Sequence, residues 1–170
     1  LGGSGSINAL VYHRGQAGDY DDWAAAGNDG WSYADVMPHF EQLETPPQDD
    51  PRAPHLSVTD NSADFHPMGS DFLEICRQGQ LPVCDAPANE GIGITPYLTT
   101  TRDGQRCSSA KAFLHPAMRR RNLTVVTGAH VSRIGFEGTR ARSVFYSRNG
   151  RDFKVCAGAE IILAAGAVGS

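Results

Sequence analysis

The chain opens with residues 1–15, LGGSGSINALVYHRG, which hold more unusual chemistry than any other stretch of the sequence. Glycines at positions 2, 3 and 5 carry no Cβ, so a ligand can approach the main chain closely and left-handed backbone angles become accessible. An apolar run follows at residues 7–12, and the start of a helix there would offer unpaired N–H groups to an anion. The stretch therefore predicts a binding site for a phosphate-bearing ligand.

A flexible linker is the alternative for the same stretch, because glycine and serine are typical of linkers. No second Gly-Ser repeat occurs, and the apolar continuation at residues 7–12 favours an ordered segment. On composition alone both interpretations stay open.

The composition is that of an ordinary globular protein. The 170 residues suffice for one domain with its own core, 40% of them are hydrophobic, and the formal net charge is −4. No apolar run approaches the roughly 20 residues needed to cross a bilayer. We therefore expect neither nucleic acid nor a membrane as a partner.

The four cysteines, at positions 76, 84, 107 and 156, are scattered without the paired spacing of zinc sites. We expect free thiols in a reducing compartment, which favours the cytoplasm, and we expect no metal site.

Helical patterns recur along the first two thirds of the chain. They predict helices over residues 19–26, 33–43 and 70–78 and one that begins at Ser108 or Ser109. Ser32 and Asp35 have the spacing of a capping box. The third helix is expected to turn four side chains inward: Phe72, Leu73, Ile75 and Cys76. A proline-rich stretch at residues 45–54 predicts an exposed loop, and residues 81–93 predict another.

Strand patterns predict short strands at residues 55–59 and 94–101 and a meander near the end of the chain. The meander would use residues 123–127, 131–137, 142–148 and 153–157, with turns at Gly138-Thr139 and Asn149-Gly150. The continuous apolar run at residues 161–165 predicts a parallel strand that is covered on both faces. Small residues follow that run, at the end of a strand where open α/β sheets bind nucleotides.

Several blocks together resemble one known family. They are the opening stretch with DYDDW at 19–23, GWSYADVMPHF at 30–40, GQRCSSAKAFL at 104–114, NLTVVTGAHV at 122–131 and IILAAGAVGS at 161–170. In this order they resemble the glucose-methanol-choline (GMC) family of FAD-dependent oxidoreductases.

The resemblance implies a mixed α/β fold: part of a Rossmann-like FAD-binding domain with a β-meander, plus part of an antiparallel-sheet substrate-binding domain. It implies an FAD-binding segment at 1–44, a partial substrate-binding segment at 45–121 that includes the loop at 45–54, and an FAD-binding meander and parallel strand at 122–170. Because the chain lacks an initial methionine and starts inside a motif, we expect an internal piece of a longer protein.

The resemblance also implies which residues bind FAD. Gly3 and Ser4 would line the diphosphate and the ribityl chain, and the main chain of Val131 would meet the adenine edge. The segment beside the flavin ring would be Asn8, Ala9, Leu10 and Val11. Some members attach FAD covalently through a histidine just before that asparagine; Ile7 stands there, so we expect non-covalent FAD.

The activity that the resemblance implies is oxidation of a small-molecule alcohol, with hydride passing to the flavin. The family's histidine base lies further along than this chain reaches, so no residue here is assigned as catalytic, and the remaining parts of the same protein are expected partners. Two alternatives stay open: a hydroxynitrile lyase-like member that keeps FAD structurally, and a fragment that binds no FAD by itself.

Overall fold

The computed structural model describes residues 1–50, 52–64, 66–84 and 92–170. These residues mix helices with small antiparallel sheets, and they divide into two compact units, Leu1–Ala117 and Met118–Ser170.

Three helices of eight or more residues lie in the described part of the first unit: α1 (Ala17–Ala25), α2 (Tyr33–Glu44) and α3 (Pro67–Gln78). The predicted capping box forms at the start of α2, where Ser32 Oγ accepts from the Asp35 N–H at 3.3 Å and the Ser32 N–H donates to Asp35 Oδ2 at 3.2 Å. The ring of Tyr20 on α1 meets that of Phe40 edge to face, with centroids 6.2 Å apart. This aromatic contact packs α1 on α2.

Short strands connect distant parts of the first unit. A 3₁₀ helix at Gly3–Ser6 leads to β1 (Val11–Tyr12), which pairs antiparallel with β2 (Leu98–Thr99). A tight hairpin then joins β3 (Thr101–Arg102) to β4 (Gln105–Arg106). Its turn residues Asp103 and Gly104 both adopt left-handed angles, with φ of 52° and 69°.

The chain next enters the helix predicted at Ser108 or Ser109. It opens with a π-helical turn at Ala110–Leu114 and ends as α4 (His115–Ala117). The Lys111 N–H donates to Ser108 Oγ at 3.3 Å. Ala110 and Ala112 of this turn are buried, and so is Cys107, which is 1% exposed. These residues are part of the first unit's core.

Several predictions for the first unit are wrong. Residues 55–59 supply only a single bridge, between Thr59 and Thr99, and the predicted strand at 94–101 is broken into separate pieces. On α3, Phe72 is 55% exposed and Ile75 65% exposed, so only Cys76 of the four predicted inward side chains is fully buried and Leu73 is half-buried. The helix is formed, but its predicted apolar face is covered only in part: Phe72 and Ile75 stay exposed.

A 3₁₀ helix at Ser62–Asp64 and several loops account for most of the other described residues of the first unit. Residues 45–50 and 52–54 of the proline-rich stretch form neither helix nor strand, as predicted. Most of the loop predicted at 81–93 falls on residues 85–91, which lie outside the described residues.

The second unit is the predicted meander, formed by β5 (His130–Glu137), β6 (Arg140–Arg148) and β7 (Arg151–Cys156) in that spatial order. Asn149 and Gly150 make the second turn with φ of 52° and 72°, the pair of left-handed angles that a two-residue hairpin loop needs. The hairpins at Gly138-Thr139 and Asn149-Gly150 are confirmed.

The predictions of strands at 123–127 and 161–165, on either side of the meander, are wrong: neither segment pairs with a strand. A strand is held by hydrogen bonds to a neighbour, and parallel neighbours are reached through long crossover connections. No described segment of this unit provides such a partner, so an apolar run is not sufficient to make a strand. The Rossmann-like sheet stays a prediction.

All four cysteines are free thiols. Over the described ranges, no helix combines the length and the apolar character that crossing a membrane would require.

Candidate functional site

The opening loop has the backbone that its glycines predict. Gly2 and Gly3 adopt φ of +99° and +59°, in the left-handed region that side chains disfavour. A Cβ added to Gly2 would lie 2.4 Å from Ser6 Oγ and 3.1 Å from the Cβ of Ala110, whereas a Cβ on Gly3 would meet nothing within 4 Å. Gly2 is thus packed against the protein, and Gly3 leaves open space in front of its main chain.

Residues of the block at 104–114 hold this loop in place. Ser109 Oγ donates to the Gly2 carbonyl at 3.1 Å, and Arg106 Nη1 donates to the Gly5 carbonyl at 3.2 Å. Within the loop, Ser6 Oγ donates to the Leu1 carbonyl at 2.7 Å. Two blocks that lie about 100 positions apart in the sequence are therefore in contact.

The Asn8 side chain is held by two donors. Its Oδ1 accepts from the Leu10 N–H at 3.1 Å and from Arg106 Nη1 at 2.8 Å. Leu10 itself has φ of +70°, and its carbonyl accepts from the N–H of Thr100 at 2.9 Å and from Thr100 Oγ1 at 3.3 Å. A non-glycine residue in this region costs roughly 1–3 kcal/mol and persists only where neighbours enforce it, so the Asn8–Leu10 turn is a tightly determined element.

A polar cluster of Tyr12, Arg14 and Glu44 fixes the strand that follows. Arg14 Nε donates to Glu44 Oε1 at 2.9 Å, Arg14 Nη2 donates to the other carboxylate oxygen, and the Tyr12 hydroxyl donates to Glu44. Burial, then the hydrogen bond to Glu44, raises the pKa of Tyr12 above its usual range. The hydrogen bond to Glu44 likewise raises the pKa of Arg14. The cluster ties β1 to the last turn of α2.

Most of the residues predicted to bind FAD are exposed. In the first unit, Gly3, Ser4, Asn8, Ala9 and Val11 are exposed and Leu10 is half-buried. In the second unit, Val131 is exposed and lies on β5, an outer strand of the three-stranded sheet. Along the outer edge of such a strand, main-chain N–H and C=O groups make no hydrogen bonds within the sheet, and such groups suit a ligand that binds to the backbone. Six of the nine residues in the segment 3–11 are therefore exposed, and Gly5, Ser6 and Leu10 are half-buried.

Sequence reasoning missed three residues that hold this segment: Thr100, Arg106 and Ser109. A signal for Arg106 was available, because Asp103-Gly104 is a strong hairpin turn and fixes the direction of the strand that carries Arg106. No comparable signal marks Thr100 or Ser109, whose roles depend on contacts between distant segments.

A separate groove of about 520 Å³ lies on α1 and α2. Its lining is mainly aromatic and aliphatic and includes Tyr20, Trp23, Trp31, Val36, Phe40 and Leu43. No predicted FAD-binding residue lines it.

Solved structures of oxidoreductases share the fold. The chain is similar to a pyridoxine 4-oxidase from Mesorbium loti, with a TM-score of 0.76 and 30% identity over 90% of this chain and 31% of that one. It is also similar to an FAD-dependent oxidoreductase from Chaetomium thermophilum, with a TM-score of 0.83 and 27% identity over 98% of this chain and 32% of that one. The fold is thus one that oxidoreductases use.

Sequence comparison gives the family. The family model described as GMC oxidoreductase matches residues 1–170. The chain is 37% identical to an oxygen-dependent choline dehydrogenase of Staphylococcus saprophyticus, over 100% of this chain and 31% of that protein. It is 38% identical to the mitochondrial choline dehydrogenase of Homo sapiens, over 99% and 29%. The chain belongs to the GMC oxidoreductase family, and it spans about three tenths of the length of these curated relatives.

Family membership and the FAD-dependent solved relative imply FAD as the cofactor. The opening loop fits such a group: its main chain is open at Gly3, where a Cβ would occupy free space, and most residues from there to Val11 are exposed.

Proposed function

We propose that the protein is an FAD-dependent oxidoreductase that oxidises the CH–OH group of a small-molecule alcohol to an aldehyde or ketone. The supporting observation is the opening segment, which is tightly held and mostly exposed, in a chain that matches the GMC oxidoreductase family over residues 1–170. The choline dehydrogenases among the relatives support an alcohol as the substrate class. A pyridoxine oxidase among the solved structures supports the same CH–OH group as the site of oxidation.

When bound, FAD supplies the hydride acceptor. The chain's own residues bind and orient it. The main chain at Gly3 and Ser4 would hold the diphosphate, since a Cβ at Gly3 would meet no protein atom within 4 Å, and the turn at Asn8 to Leu10 would lie beside the ring. Val131 as the adenine contact stays a prediction that depends on the family resemblance. FAD is non-covalent in this proposal, because Ile7 stands where a histidine attachment would be.

The test uses the full-length protein, purified and examined for bound flavin by its visible absorbance. Acid precipitation should release the flavin into the supernatant, since no covalent bond holds it. Choline and pyridoxine are the first probes, each added without oxygen together with an electron-accepting dye. We expect at least one alcohol to reduce the dye in a flavin-dependent way.

Two results would contradict the proposal. Protein that purifies without flavin and shows no fluorescence quenching on addition of FAD would exclude the cofactor. Protein that holds flavin, but whose flavin stays oxidised with every alcohol tested, would favour the non-redox alternative.

A further inference from the structure

The guanidinium of Arg106 bridges the turn that carries Asn8. One nitrogen, Nη1, donates to Asn8 Oδ1 at 2.8 Å and to the Gly5 carbonyl at 3.2 Å. The side chain is half-buried, and no carboxylate of the described residues forms an ion pair with it. Its contacts in this part of the chain are therefore directed at the opening segment.

The two donors on Asn8 Oδ1 fix which way the amide faces. An amide oxygen has two lone pairs, and here one accepts from Leu10 and the other from Arg106. A flipped amide would set its NH₂ group against an N–H and a guanidinium, which are both donors. The NH₂ group must therefore turn away from them, on a side chain that is exposed.

The backbone around Asn8 is held as firmly as its side chain. Leu10 has φ of +70°, and Thr100 holds its carbonyl with two hydrogen bonds, one from the N–H and one from Oγ1. Enforced backbone strain of this kind clusters at sites where a ligand needs a prepared geometry.

We propose that Arg106 is a positioning residue of the flavin site: it holds the Asn8 amide so that the NH₂ group donates to the cofactor. The proposal depends on the FAD site proposed above. A donor in this place binds the more negative, reduced cofactor better than the oxidised one, so Arg106, acting through Asn8, raises the reduction potential.

A double-mutant cycle in the full-length protein separates this role from a merely structural one. The variants are Arg106→Met, Asn8→Ala and the two combined, with Arg102→Met as the matched control. Arg102 lies on the same hairpin but donates to the His55 carbonyl, at 2.8 Å. The measurements are the FAD dissociation constant and the two-electron midpoint potential.

We expect Arg106→Met to weaken the binding of oxidised FAD by about tenfold. It should weaken the binding of reduced FAD by a further factor of about ten. The second factor corresponds to a fall of about 30 mV in the midpoint potential. In the Asn8→Ala background the same change should have less than half that effect on the potential, because the partner through which Arg106 acts is gone. Arg102→Met should leave the potential unchanged.

The positioning role is overturned if Arg106→Met shifts the midpoint potential equally in the wild-type and Asn8→Ala backgrounds. It is also overturned if the potential does not shift at all in protein that binds FAD and oxidises an alcohol. Either result leaves the proposed function intact. Wild-type protein that binds no FAD overturns both. Should Arg106→Met fail to fold, Arg106→Lys replaces it: lysine keeps the charge but loses the planar fork, so a smaller fall that still vanishes in the Asn8→Ala background supports the proposal. A fall of the same size in that background counts against it.

Discussion

Arg14 and Glu44 form a two-pronged ion pair that joins the residues just after β1 to the last turn of α2, 30 positions along the chain. Their side chains are 30% and 11% exposed, so the pair is largely shielded from water. Glu44 also accepts from the Tyr12 hydroxyl. One carboxylate therefore satisfies two residues of the opening segment.

Glu44→Gln should lower the free energy of unfolding by about 2 kcal/mol, because it leaves a partly buried guanidinium without its counter-charge. Urea titration of the full-length protein followed by circular dichroism measures the change. Glu41→Gln, an exposed position on the same helix, is the control and should change stability by less than about 0.5 kcal/mol. Equal effects of the two substitutions would show that the ion pair does not stabilise the fold.

Tyr12 should make the protein sensitive to alkaline pH. Its pKa is raised in the folded state by burial and by Glu44, so the protonated hydroxyl stabilises the fold fully at pH values below about 10, the unfolded pKa. Above that pH the unfolded chain ionises first, and the stabilisation falls as the pH rises toward the folded pKa.

The thermal midpoint of the wild type should therefore fall more steeply between about pH 10 and 11.5 than that of Tyr12→Phe, which has no hydroxyl to ionise. Tyr97→Phe, at an exposed tyrosine, should keep the wild-type slope. Parallel pH profiles for the wild type and Tyr12→Phe would contradict the prediction.

Gly2→Ala should destabilise the protein by about 1–3 kcal/mol. The alanine would have to keep left-handed backbone angles, and its Cβ would lie 2.4 Å from Ser6 Oγ and 3.1 Å from the Cβ of Ala110. Gly18→Ala is the opposite control: Gly18 lies inside α1 with nothing within 4 Å, so alanine there should stabilise by roughly 0.5–1 kcal/mol. Thermal unfolding distinguishes the two, and a stable Gly2→Ala protein would refute the packing described for the opening loop.

Gly3→Ala should weaken FAD binding by about tenfold with only a modest loss of stability. The added methyl group meets no protein atom within 4 Å, so its main obstacle is the cofactor, and about 1.4 kcal/mol of contact strain corresponds to tenfold in affinity.

Gly104→Ala is a matched control for that change, since Gly104 has a similar left-handed φ, +69° against +59°, and the same open surroundings. Both variants should unfold at similar denaturant concentrations, and only Gly3→Ala should bind FAD more weakly in a fluorescence titration. Equal FAD affinities in the two variants would remove Gly3 from the site.

Local sequence determined the features that depend on neighbours along the chain. The glycines of the opening stretch, the Ser32–Asp35 capping box and the Asn149-Gly150 turn were predictable because each depends on the backbone preferences of a few adjacent residues. The meander strands from 130 to 156 followed for the same reason, since short turns bring consecutive strands together. The choice of Gly3 to Val11 and Val131 for FAD came from the family resemblance and remains to be tested.

Tertiary structure decided what depends on segments far apart. The apolar run at 161–165 has a strand pattern but no strand partner among the described residues, and α3 keeps Phe72 and Ile75 exposed, because burial needs a neighbour that no local pattern supplies. The contact between Arg106 and Asn8 joins residues 98 positions apart. Only the folded chain shows that Arg106 contacts the Asn8 amide. The periodicity of a sequence indicates which way a side chain faces, and it does not indicate which distant residue that side chain contacts.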